Sequence, residues 1–453
     1  MGVITLGQAA AWCGGQIDPK YQDVTFLGAN NDTRKLEKGQ LFLALEGARD
    51  GHAFIPAAFE KGAAAVLCKH LDGDYPAIVV EDVRLALGQI AKAERQRLGM
   101  KVVAITGSVG KSTTKEMVYS VLSTQYRTGK TPVNHNNDIG MPMAILALPE
   151  DTQVAVLEMG MNHFREIAYL ADIARPDVGI ITNIGTMHIE HLGSQEGILQ
   201  AKLEILEGMQ QDATIILNGD DQLLWNHNRV AQHKCVYFGM KNANSSIFAK
   251  DVKQNEEGMH FVTHTSAGQI PIDLALEGEH FVPDALAAVA AGIALDICPE
   301  NIQKGLNEFR NMEGRQEIFE AYGYTIIKDC YNAGPESMEA ALQVLARKQG
   351  RRVAVLGDML ELGVCTQAEH YKVGRVAAQT ADILLAYGPN SVRMLYGART
   401  GGMSETQARA FTDRNRLVTV LKQLAQPGDV ILFKGSRGMR MELILERFLQ
   451  KEE

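Results

Sequence analysis

Apolar runs alternate with amphipathic helical segments along the middle of this chain, from residue 98 to about residue 311. Four of these runs are VVAIT, VAVLEMG, VGIITNIG and ATIILNG. Short apolar runs bounded by turn residues are typical of buried strands, and the segments between them have helical periodicity. Strands connected through helices in this way lie parallel to one another, with the helices on both faces. The alternation therefore predicts a doubly wound parallel sheet in an α/β fold.

The chain divides into three predicted domains, which fits a length of 453 residues. Residues 1–97 contain the short runs LFLAL, AAAVL and AIVV and are predicted to form a small α/β domain. A charged segment near Leu98 precedes the central domain, residues 98–311. Residues 312–453 carry a second series of strands, YTIIKD, RRVAVLGD, ADILLAYG and DVILFKG, and are predicted to form a separate Rossmann-like α/β domain. We call these ranges the first, central and last regions.

Composition and charge argue against several classes of protein. The net charge is -9 and 46% of the residues are hydrophobic, which disfavours a nucleic-acid-binding surface and a disordered chain. The six cysteines are scattered and form no CxxC pair, so we expect reduced thiols. The amino terminus lacks a basic segment, and no stretch approaches the roughly 18 apolar residues that span a bilayer. We expect a cytoplasmic protein with no membrane insertion and no nucleic-acid partner.

The stretch VVAITGSVGKSTTK combines a strand, a glycine-containing turn and a helix predicted to begin at Lys111. Backbone N–H groups of the turn and the positive end of the helix can surround phosphate oxygens, while Lys111 adds a charge and Ser112 a metal-binding hydroxyl. The strict phosphate-loop pattern has glycine where Ile105 stands, so this is a shortened form; the alternative is an incidental glycine turn. The predicted ATP-binding residues are Thr106, Gly107, Ser108, Val109, Gly110, Lys111, Ser112 and Thr113.

Polar residues follow two more of the predicted strands, where ligands of open parallel sheets bind. The run VAVLEMG ends with Glu158, which is placed to hold the magnesium ion that accompanies ATP; the alternative is an ordinary loop carboxylate. The run VGIITNIG ends near Asn183 and is followed by His188 and His191. His188 is a candidate site residue or a packed histidine, and for His191 the packed or solvated interpretation is favoured.

Lys202 lies in an unexpected place on a predicted helix. At about 100° per residue, the apolar positions of EGILQAKLEILEGM fall on one face, and Lys202 falls in the middle of it. A solvated lysine is expected on the opposite face, with Glu204 and Glu207, because burying an unpaired ammonium is costly. Lys202 should therefore have an anionic partner or an altered charge. A snorkelling side chain, a buried ion pair and an active-site role all remain open.

Motifs along the whole chain resemble those of the Mur ligases, the ATP-dependent amide ligases that build the peptide of bacterial cell-wall precursors. The motifs are TGSVGKST, NHNNDIGMP, LEMG, TNIGTMHIEHLGS with AKLEI, EGRQE, KDCYNAGPES, VLGDMLELG and KGSRGMRME. The last two are similar to the branch of the family that adds D-alanyl-D-alanine, and DTRKLEKGQLFLALEGARDGHAFI resembles its UDP-sugar domain. The resemblance implies ATP and magnesium as cofactors, and UDP-N-acetylmuramoyl-tripeptide and D-alanyl-D-alanine as substrates.

The resemblance also implies roles for the residues already singled out. Glu158 and His188 match the family's metal ligands, and Lys202 matches its carbamylated lysine, whose added carboxylate can bind metal. Ser112 and Lys111 would meet the phosphates and their metal, so Lys111, Lys202 and His188 are the implied catalytic residues. Two magnesium ions would fit these liganding groups.

Other positions match substrate contacts of the family. Arg315 and Asp329 match residues of the last region that contact ATP. The implied substrate-binding residues are Thr33, Arg34, His52, Asn137, Asn332, Ser337, Ser436 and Arg437, the first three through the UDP moiety. The chain departs from the family pattern at Phe281 and Asp284, which replace two asparagines of a motif near the adenine, and at Gly334, which also replaces an asparagine.

The implied reaction is attack of a tripeptide carboxylate on the γ-phosphate of ATP, followed by attack of the dipeptide amine on the acyl phosphate. Closure of the last region would assemble the site and exclude water. The alternatives are a sister ligase that adds another amino acid, a folylpolyglutamate-type synthetase, and a non-catalytic protein that uses ATP as a switch. We expect a monomer.

Overall fold

The computed structural model describes residues 3–225, 227–230, 232–255 and 257–450. The strands of these residues form four sheets, of nine, six, four and two strands. The two larger sheets are mainly parallel and the intervening segments are mainly helical, which confirms the predicted α/β fold class. Among the described helices, none combines the length and the apolarity needed to cross a bilayer.

The first region contains the two small sheets. Its elements are β1 (Ile4–Thr5), α1 (Leu6–Cys13), β2 (Thr25–Phe26), β3 (Ala29–Asn30), β4 (Leu41–Leu43), α2 (Ile55–Glu60), β5 (Ala65–Cys68), β6 (Ala77–Val79) and α3 (Val83–Leu98). Strands β3 to β6 form a four-stranded parallel sheet in chain order, and β1 pairs with β2 in antiparallel fashion. The predicted runs LFLAL, AAAVL and AIVV correspond to β4, β5 and β6.

The central region contains the nine-stranded sheet. Its strands are β7 (Lys101–Thr106), β8 (Thr128–Lys130), β9 (Val154–Glu158), β10 (Val178–Ile181), β11 (Thr214–Asn218), β12 (Lys234–Gly239), β13 (Ile247–Asn255), β14 (Gly258–Thr265) and β15 (Gly268–Leu274). Its helices are α4 (Lys111–Leu122), α5 (Gly140–Leu146), α6 (Glu166–Ala174), α7 (Ile189–Leu192), α8 (Gln195–Leu203), α9 (Ile205–Gly208), α10 (Phe281–Ala294) and α11 (Pro299–Asn307).

The strand order of this sheet is β15-β14-β13-β12-β11-β10-β7-β9-β8. All pairs from β13 to β8 are parallel, as the alternation predicted, and β14 and β15 extend the sheet as antiparallel strands. Strand β14 begins at Gly258, three residues after the end of β13, and β15 begins at Gly268, three residues after the end of β14. Parallel neighbours need a crossover connection of a dozen or more residues, so connections this short require antiparallel pairing.

Successive residues of β7 face two different cores. Val102 and Ala104 pack into a core with α3, α5 and α6, whereas Val103 and Ile105 pack with α4 and α10. This period of two is that of a strand covered on both faces. The first of these cores also includes apolar residues of β1, α1, β4 and β5, with α3 as the shared helix. The first and central regions are therefore packed together, and the division between them near Leu98 stays a prediction.

The last region contains the six-stranded sheet, in the order β16-β17-β21-β18-β19-β20. Its elements are β16 (Glu317–Ala321), β17 (Tyr324–Asp329), α12 (Pro335–Ala346), β18 (Arg352–Gly357), α13 (Thr366–Thr380), β19 (Ile383–Tyr387), α14 (Ser391–Thr400), β20 (Ala408–Phe411), α15 (Arg414–Leu424), β21 (Val430–Lys434) and α16 (Glu442–Leu449). Only the edge strand β16 is antiparallel to its neighbour among these described strands.

The predicted helix around Lys202 is interrupted. Helix α8 ends at Leu203 and α9 begins at Ile205, so the sequence pattern spans two short helices. The pattern correctly predicted burial of Lys202, but it was wrong for Glu204, which is buried rather than solvated. The Glu204 carboxylate accepts hydrogen bonds from the backbone N–H groups of Arg165 (2.8 Å) and Ala168 (3.2 Å). Helix α6 starts there, and its unpaired N–H groups stabilise a buried anion.

Candidate active site

The phosphate loop lies between the end of β7 and the start of α4, as predicted. Gly107 has φ of 152°, and a Cβ there would lie 1.9 Å from Oγ1 of Thr182. Gly110 has φ of 86°, and a Cβ there would lie 2.4 Å from Oδ1 of Asp284. Both positions therefore require glycine, because a side chain would be strained and would also collide with a neighbouring residue.

Asn183 and Thr182, at the end of the adjacent strand β10, hold the loop in shape. The Asn183 side chain accepts from the N–H of Val109 at 2.9 Å and donates to the Val109 carbonyl at 2.9 Å. The Thr182 hydroxyl donates to the same carbonyl at 2.6 Å. Asn183 lies just after a strand end, as predicted, and its side chain fixes the conformation of the turn through both backbone groups of Val109.

Lys111 is the first residue of α4 and folds back over the loop. Its Nζ donates to the carbonyls of Gly107 (2.7 Å) and Ser108 (3.3 Å). Burial lowers the pKa of Lys111, while Glu158 acts in the opposite direction and Arg315 reinforces the lowering. A phosphate group in the loop would offer this ammonium a stronger partner than the two neutral carbonyls.

A cavity of about 300 Å³ opens beside the loop and brings many of the predicted residues together. The predicted residues that line it are Ser108, Val109, Gly110, Lys111, Ser112, Asn137, Glu158, His188, Arg315, Asn332, Ser337 and Arg437. They come from the central and last regions, so the cavity is formed at the contact between the two. We call it the phosphate cavity.

Glu158 ends β9 and is held by neighbours on several sides. Its backbone N–H donates to Oγ1 of Thr131 at 3.0 Å, and its Oε1 accepts from Nδ2 of Asn136 at 2.9 Å. Its Oε2 lies 3.9 Å from Nζ of Lys115, which is itself fully buried. The carboxylate is 4% exposed and faces a cavity that contains cationic groups. Such an oriented carboxylate is suited to bind a hard cation.

His188 precedes α7 in a left-handed conformation, with φ of 65°. Its Nδ1 lies 2.8 Å from Oε2 of Glu361, a residue of the last region, although the angles are not those of a hydrogen bond. The ring lines the phosphate cavity. Glu361 lies in the motif VLGDMLELG but was not predicted as a site residue, because nothing in the sequence pairs it with a histidine 173 positions earlier.

Lys202 is 1% exposed and lies close to the phosphate cavity without being among its lining residues. Burial lowers the pKa of Lys202 well below its usual value, and the Lys111 ammonium lowers it further. No hydrogen bond or ion pair of its Nζ is recorded with any residue in the described ranges, so neither a buried ion pair nor a snorkelling side chain accounts for it. Both influences favour the neutral amine relative to the ammonium.

Arg315 connects the last region to the phosphate loop. Its Nη2 donates to Oγ of Ser112 at 3.1 Å, and its guanidinium carbon lies 3.9 Å from the centroid of the Tyr331 ring. The Tyr331 hydroxyl in turn hydrogen-bonds Oδ1 of Asn134. The guanidinium is thus fixed in orientation above the residue that follows Lys111. Tyr331 was not singled out from the sequence.

The remaining predicted residues of the last region are held by hydrogen bonds to other residues of that region. Asp329 accepts a 2.6 Å bond from Nζ of Lys434. Ser337 bonds only its own helix start, at Gly334. Ser436 is 3% exposed and is bonded to the backbone of Leu360 and Ala333. The backbone N–H of Arg437 donates to Oδ1 of Asn332 at 3.4 Å, and both residues line the phosphate cavity.

A second cavity, of about 420 Å³, lies on the other side of the loop. Thr113, Phe281, Asp284 and Asp329 are among its lining residues. Burial raises the pKa of Asp284 to about 7, although a 2.8 Å hydrogen bond from Thr114 and the charge of Arg315 act in the opposite direction. Thr106 and Gly107 line neither this cavity nor the phosphate cavity; the Thr106 hydroxyl is buried and unpaired among the described residues.

Three predicted residues of the first region are not brought to the phosphate cavity. Thr33 and Arg34 lie in a turn after β3, and the Arg34 side chain is 86% exposed and paired with Asp32 at 2.8 Å. His52 is buried; its Nδ1 is 2.6 Å from Asp50, and its Nε2 accepts from the N–H of Lys69. A ligand bound in the phosphate cavity would have to extend onto the first region to contact these three residues.

A third cavity extends from the phosphate cavity to the first region, although none of Thr33, Arg34 and His52 lines it. It has a volume of about 510 Å³, and its lining residues are Asp82, Arg84 and Leu85 of the first region and Asn137, Asp138, Gly160, Asn162, Phe164, Arg165, Glu166, Tyr169 and Leu170 of the central region. It shares Asn137, Gly160, Asn162 and Glu166 with the phosphate cavity. The side chain of Asn137 accepts from the N–H of Gly140 at 2.8 Å and so caps α5 between the two cavities.

The sheet order and the glycine loop define an α/β protein of the phosphate-loop class. Three family models match the chain: the catalytic domain of the Mur ligase family at residues 24–95, the Mur ligase middle domain at residues 105–292, and the Mur ligase glutamate ligase domain at residues 314–437. The chain is 42% identical to UDP-N-acetylmuramoyl-tripeptide--D-alanyl-D-alanine ligase of Bacillus subtilis, with 96% of this chain and 95% of that protein covered. It is 38% identical to the ligase of the same name from Escherichia coli, over 99% and 98% of the two chains.

Solved structures show the same relationship. MurF from Acinetobacter baumannii matches with a TM-score of 0.91 at 34% identity, over 100% of both chains. MurF ligase from Thermotoga maritima in complex with ADP matches with a TM-score of 0.82 at 27% identity, over 93% of this chain and 97% of that one. This chain belongs to the Mur ligase family, which confirms the resemblance of its motifs.

Proposed function

We propose that the chain is an ATP-dependent peptide ligase that joins D-alanyl-D-alanine to UDP-N-acetylmuramoyl-tripeptide and releases ADP and phosphate. Relatives of this name match almost the whole chain. The observation that carries the proposal is the phosphate cavity, where the glycine loop, Glu158, His188 and Arg315 converge. The third cavity shares lining residues with it and extends to the first region. Such a ligase produces the pentapeptide precursor of the bacterial cell wall. ATP and UDP-activated sugars are available in the cytoplasm, where we expect the chain to act, as a monomer.

The residues present fit a nucleotide triphosphate and its metal. The loop has no room for a side chain at Gly107 or Gly110, Lys111 donates to two backbone carbonyls, and Ser112 is held by Arg315. We assign the phosphates to Thr106–Thr113, with Arg315 and Asp329 as contacts from the last region. Bound magnesium would neutralise phosphate charge, and its ligands would be Ser112, Glu158, His188 and the modified Lys202. The second cavity, with Phe281 and Asp284, is the proposed adenine site.

The chain must bring two anions together before the first bond forms. A carboxylate and a phosphate oxygen about 4 Å apart repel by about 4 kcal/mol at an effective dielectric constant near 20. Lys111 and Arg315 lie on the side of the phosphate cavity where that charge would accumulate, and they offset the repulsion without moving. The tripeptide carboxylate then attacks phosphorus, and the dipeptide amine attacks the resulting acyl phosphate.

Lys202 fits a carbamate. Its neutral amine, favoured by burial and by Lys111, can add to carbon dioxide with release of a proton, which converts an unpaired buried amine into an anion. That anion would balance Lys111 and supply a carboxylate for a metal. We assign contacts with the UDP moiety to three residues of the first region, Thr33, Arg34 and His52. The peptide side of the reaction is assigned to Asn137, Asn332, Ser337, Ser436 and Arg437.

The alternatives fit less well. A folylpolyglutamate synthase from Mycobacterium tuberculosis matches with a TM-score of 0.62 at 16% identity, which shows the shared fold alone. A sister ligase adding another amino acid would use the same phosphate cavity, but relatives with the D-alanyl-D-alanine name match this chain at up to 42% identity over nearly its full length. A protein that uses ATP only as a switch would have no need for an unpaired lysine behind the cavity.

The test is phosphate release from ATP by the purified protein, with UDP-N-acetylmuramoyl-tripeptide and D-alanyl-D-alanine supplied separately and together. We expect release that needs both, with one amide formed per phosphate. Release without either substrate would support the switch. Intact ATP binding without turnover of this pair would move the proposal to a sister ligase, to be tested with single amino acids as acceptors.

A further inference from the structure

Besides Lys202, a second lysine, Lys115, is buried near the phosphate cavity, next to Glu158. Lys115 is four residues after Lys111 on α4 and is 0% exposed. Its Nζ donates to the carbonyl of Thr131 at 2.9 Å and lies 3.3 Å from Oε1 of Glu116 and 3.9 Å from Oε2 of Glu158. A lysine in the first turns of a helix is unfavourable for the helix dipole, so its burial there needs a local reason.

We infer that Lys115 is a positioning residue that holds the Glu158 carboxylate in place at the edge of the phosphate cavity. The inference rests on the proposed role of Glu158 as a metal ligand. Glu158 is fixed through its backbone by Thr131 and through Oε1 by Asn136, and Lys115 bonds the carbonyl of the same Thr131. Thr131 therefore links the lysine to the strand end on which Glu158 stands.

The distances explain why a lysine would serve here. At 3.9 Å, Lys115 compensates the charge of Oε2 without donating a hydrogen bond to it, so the lone pairs of that oxygen stay available for a cation. Partners behind a ligating carboxylate commonly tune metal affinity by roughly 10- to 100-fold. Lys115 is fully buried and is not among the residues that line the phosphate cavity, as expected of a partner that supports the ligand from behind.

The same cluster contains a matched control. Lys130 also contacts Glu116, but no contact of Lys130 with Glu158 is recorded in the described ranges, and its Nζ lies over the Tyr119 ring at 4.0 Å. Removing Lys130 disturbs Glu116 and the local charge balance, as removing Lys115 does, and leaves the surroundings of Glu158 in place. The two variants thus separate an effect on Glu158 from a general effect on the cluster.

The experiment measures magnesium dependence directly. Binding of a non-hydrolysable ATP analogue to the full chain is followed by calorimetry as magnesium is varied, for the unmodified protein, Lys115→Met and Lys130→Met. We expect Lys115→Met to need roughly tenfold more magnesium for half-maximal binding, and Lys130→Met less than a twofold change. In turnover assays the half-saturating magnesium concentration should rise in the same ratio. Equal magnesium requirements for the two variants would overturn the inference.

A double-variant cycle distinguishes positioning from a merely structural role. In the Glu158→Gln background, adding Lys115→Met should leave the magnesium requirement unchanged within twofold, because the group through which Lys115 acts is gone. An additional tenfold shift would overturn the inference. If Lys115→Met does not fold, Lys115→Gln, which keeps a donor near Thr131 and removes the charge, carries the same expectation. Analogue binding that is independent of magnesium in the unmodified protein would instead refute both the metal site of the proposed function and the inference that rests on it. Failure of amide formation alone would refute the proposed ligase reaction and leave the inference about Lys115 standing.

Discussion

Lys115 and Lys202 are both buried beside the phosphate cavity, and their surroundings are opposite in kind. Lys115 has a carbonyl and two carboxylates within 4 Å, whereas the charge that shifts the pKa of Lys202 is that of another ammonium, Lys111. The first arrangement places groups of opposite charge around the lysine, and the second places a like charge near it, which disfavours the ammonium form of Lys202. Burial alone therefore does not identify a reactive lysine; the identity of its neighbours does.

The difference has an energetic consequence. A paired buried charge contributes to the folded state only while both partners are present, and breaking the pair leaves an uncompensated charge. An unpaired buried ammonium destabilises the folded state unless it loses its proton or is modified. The two lysines should thus respond to the same substitution with stability changes of opposite sign, which makes the comparison testable.

The largest effect is expected on activity, from Lys202→Met. Methionine preserves the volume and removes the amine, so turnover should fall by about a thousandfold or more, comparable to loss of a group that stabilises the transition state. The free energy of unfolding in buffer free of carbon dioxide should rise by about 1 kcal/mol, because the desolvated amine is gone. The measurements are phosphate release and denaturant unfolding.

The pH dependence of this gain has a fixed sign. The pKa of Lys202 is lowered in the folded protein, so the cost of burial is greatest at low pH and disappears as pH approaches the unfolded value near 10.4. The stability advantage of Lys202→Met should therefore shrink as pH rises from 7 to 10. Near-normal turnover of the variant would refute the carbamate assignment, and added carbon dioxide should not restore a variant without an amine.

Sequence patterns predicted the strands and the phosphate loop because each is a local property. The run VVAIT followed by GSVGKS specified β7, the turn and the start of α4, and the apolar stripe around Lys202 specified its burial. The partners were not predictable in the same way. Glu361 contacts His188, and Tyr331 contacts Asn134, only because the fold brings the central and last regions together around the phosphate cavity.

Glu204 shows the limit of periodicity. One continuous helix would place it opposite Lys202, in solvent, but the chain bends after Leu203 and turns the carboxylate toward the start of α6. Neither the bend nor the N–H groups that donate to the Glu204 carboxylate can be predicted from the sequence of this segment alone. The roles assigned to individual residues of the site stay predictions until they are measured.

The next largest effect is on stability, from Lys115→Met. This substitution leaves Glu116 and Glu158 with one cation fewer in a buried cluster, so the free energy of unfolding should fall by about 3 kcal/mol. Denaturant unfolding measures it, with Lys202→Met as the contrasting variant. If both substitutions stabilise the protein, the partners of Lys115 contribute nothing and the contrast between the two lysines is lost.

Asp284 extends the comparison to an anion. The pKa of Asp284 is raised to about 7, so the folded protein binds its proton more tightly than the unfolded chain, and stability falls as pH rises from about 4 to 7. Asp284→Asn keeps an acceptor for Thr114 and removes the ionisation. Its stability should equal that of the unmodified protein near pH 4 and exceed it by about 2 kcal/mol at pH 8.

Thermal midpoints of the Asp284→Asn variant and the unmodified protein at pH 5 and pH 8 provide this comparison. The difference between the two proteins should grow with pH. A difference that is constant across this range would mean that Asp284 ionises normally, and that its surroundings resemble those of Lys115 more than those of Lys202.

The smallest effect is expected at Glu204, a buried charge whose partners are backbone N–H groups. Glu204→Gln keeps one acceptor oxygen and loses the charge at the start of α6, so stability should fall by about 1 kcal/mol. Glu207→Gln is the matched control, since that carboxylate is 39% exposed and pairs with Arg165 on the surface, where about 0.5 kcal/mol or less is expected. Equal losses in the two variants would show that the helix start does not stabilise the buried carboxylate. The anion at Glu204 would then be tolerated two residues from Lys202 without compensation, and the rule drawn from the two lysines, that a buried charge persists only with partners, would not extend to carboxylates in this protein.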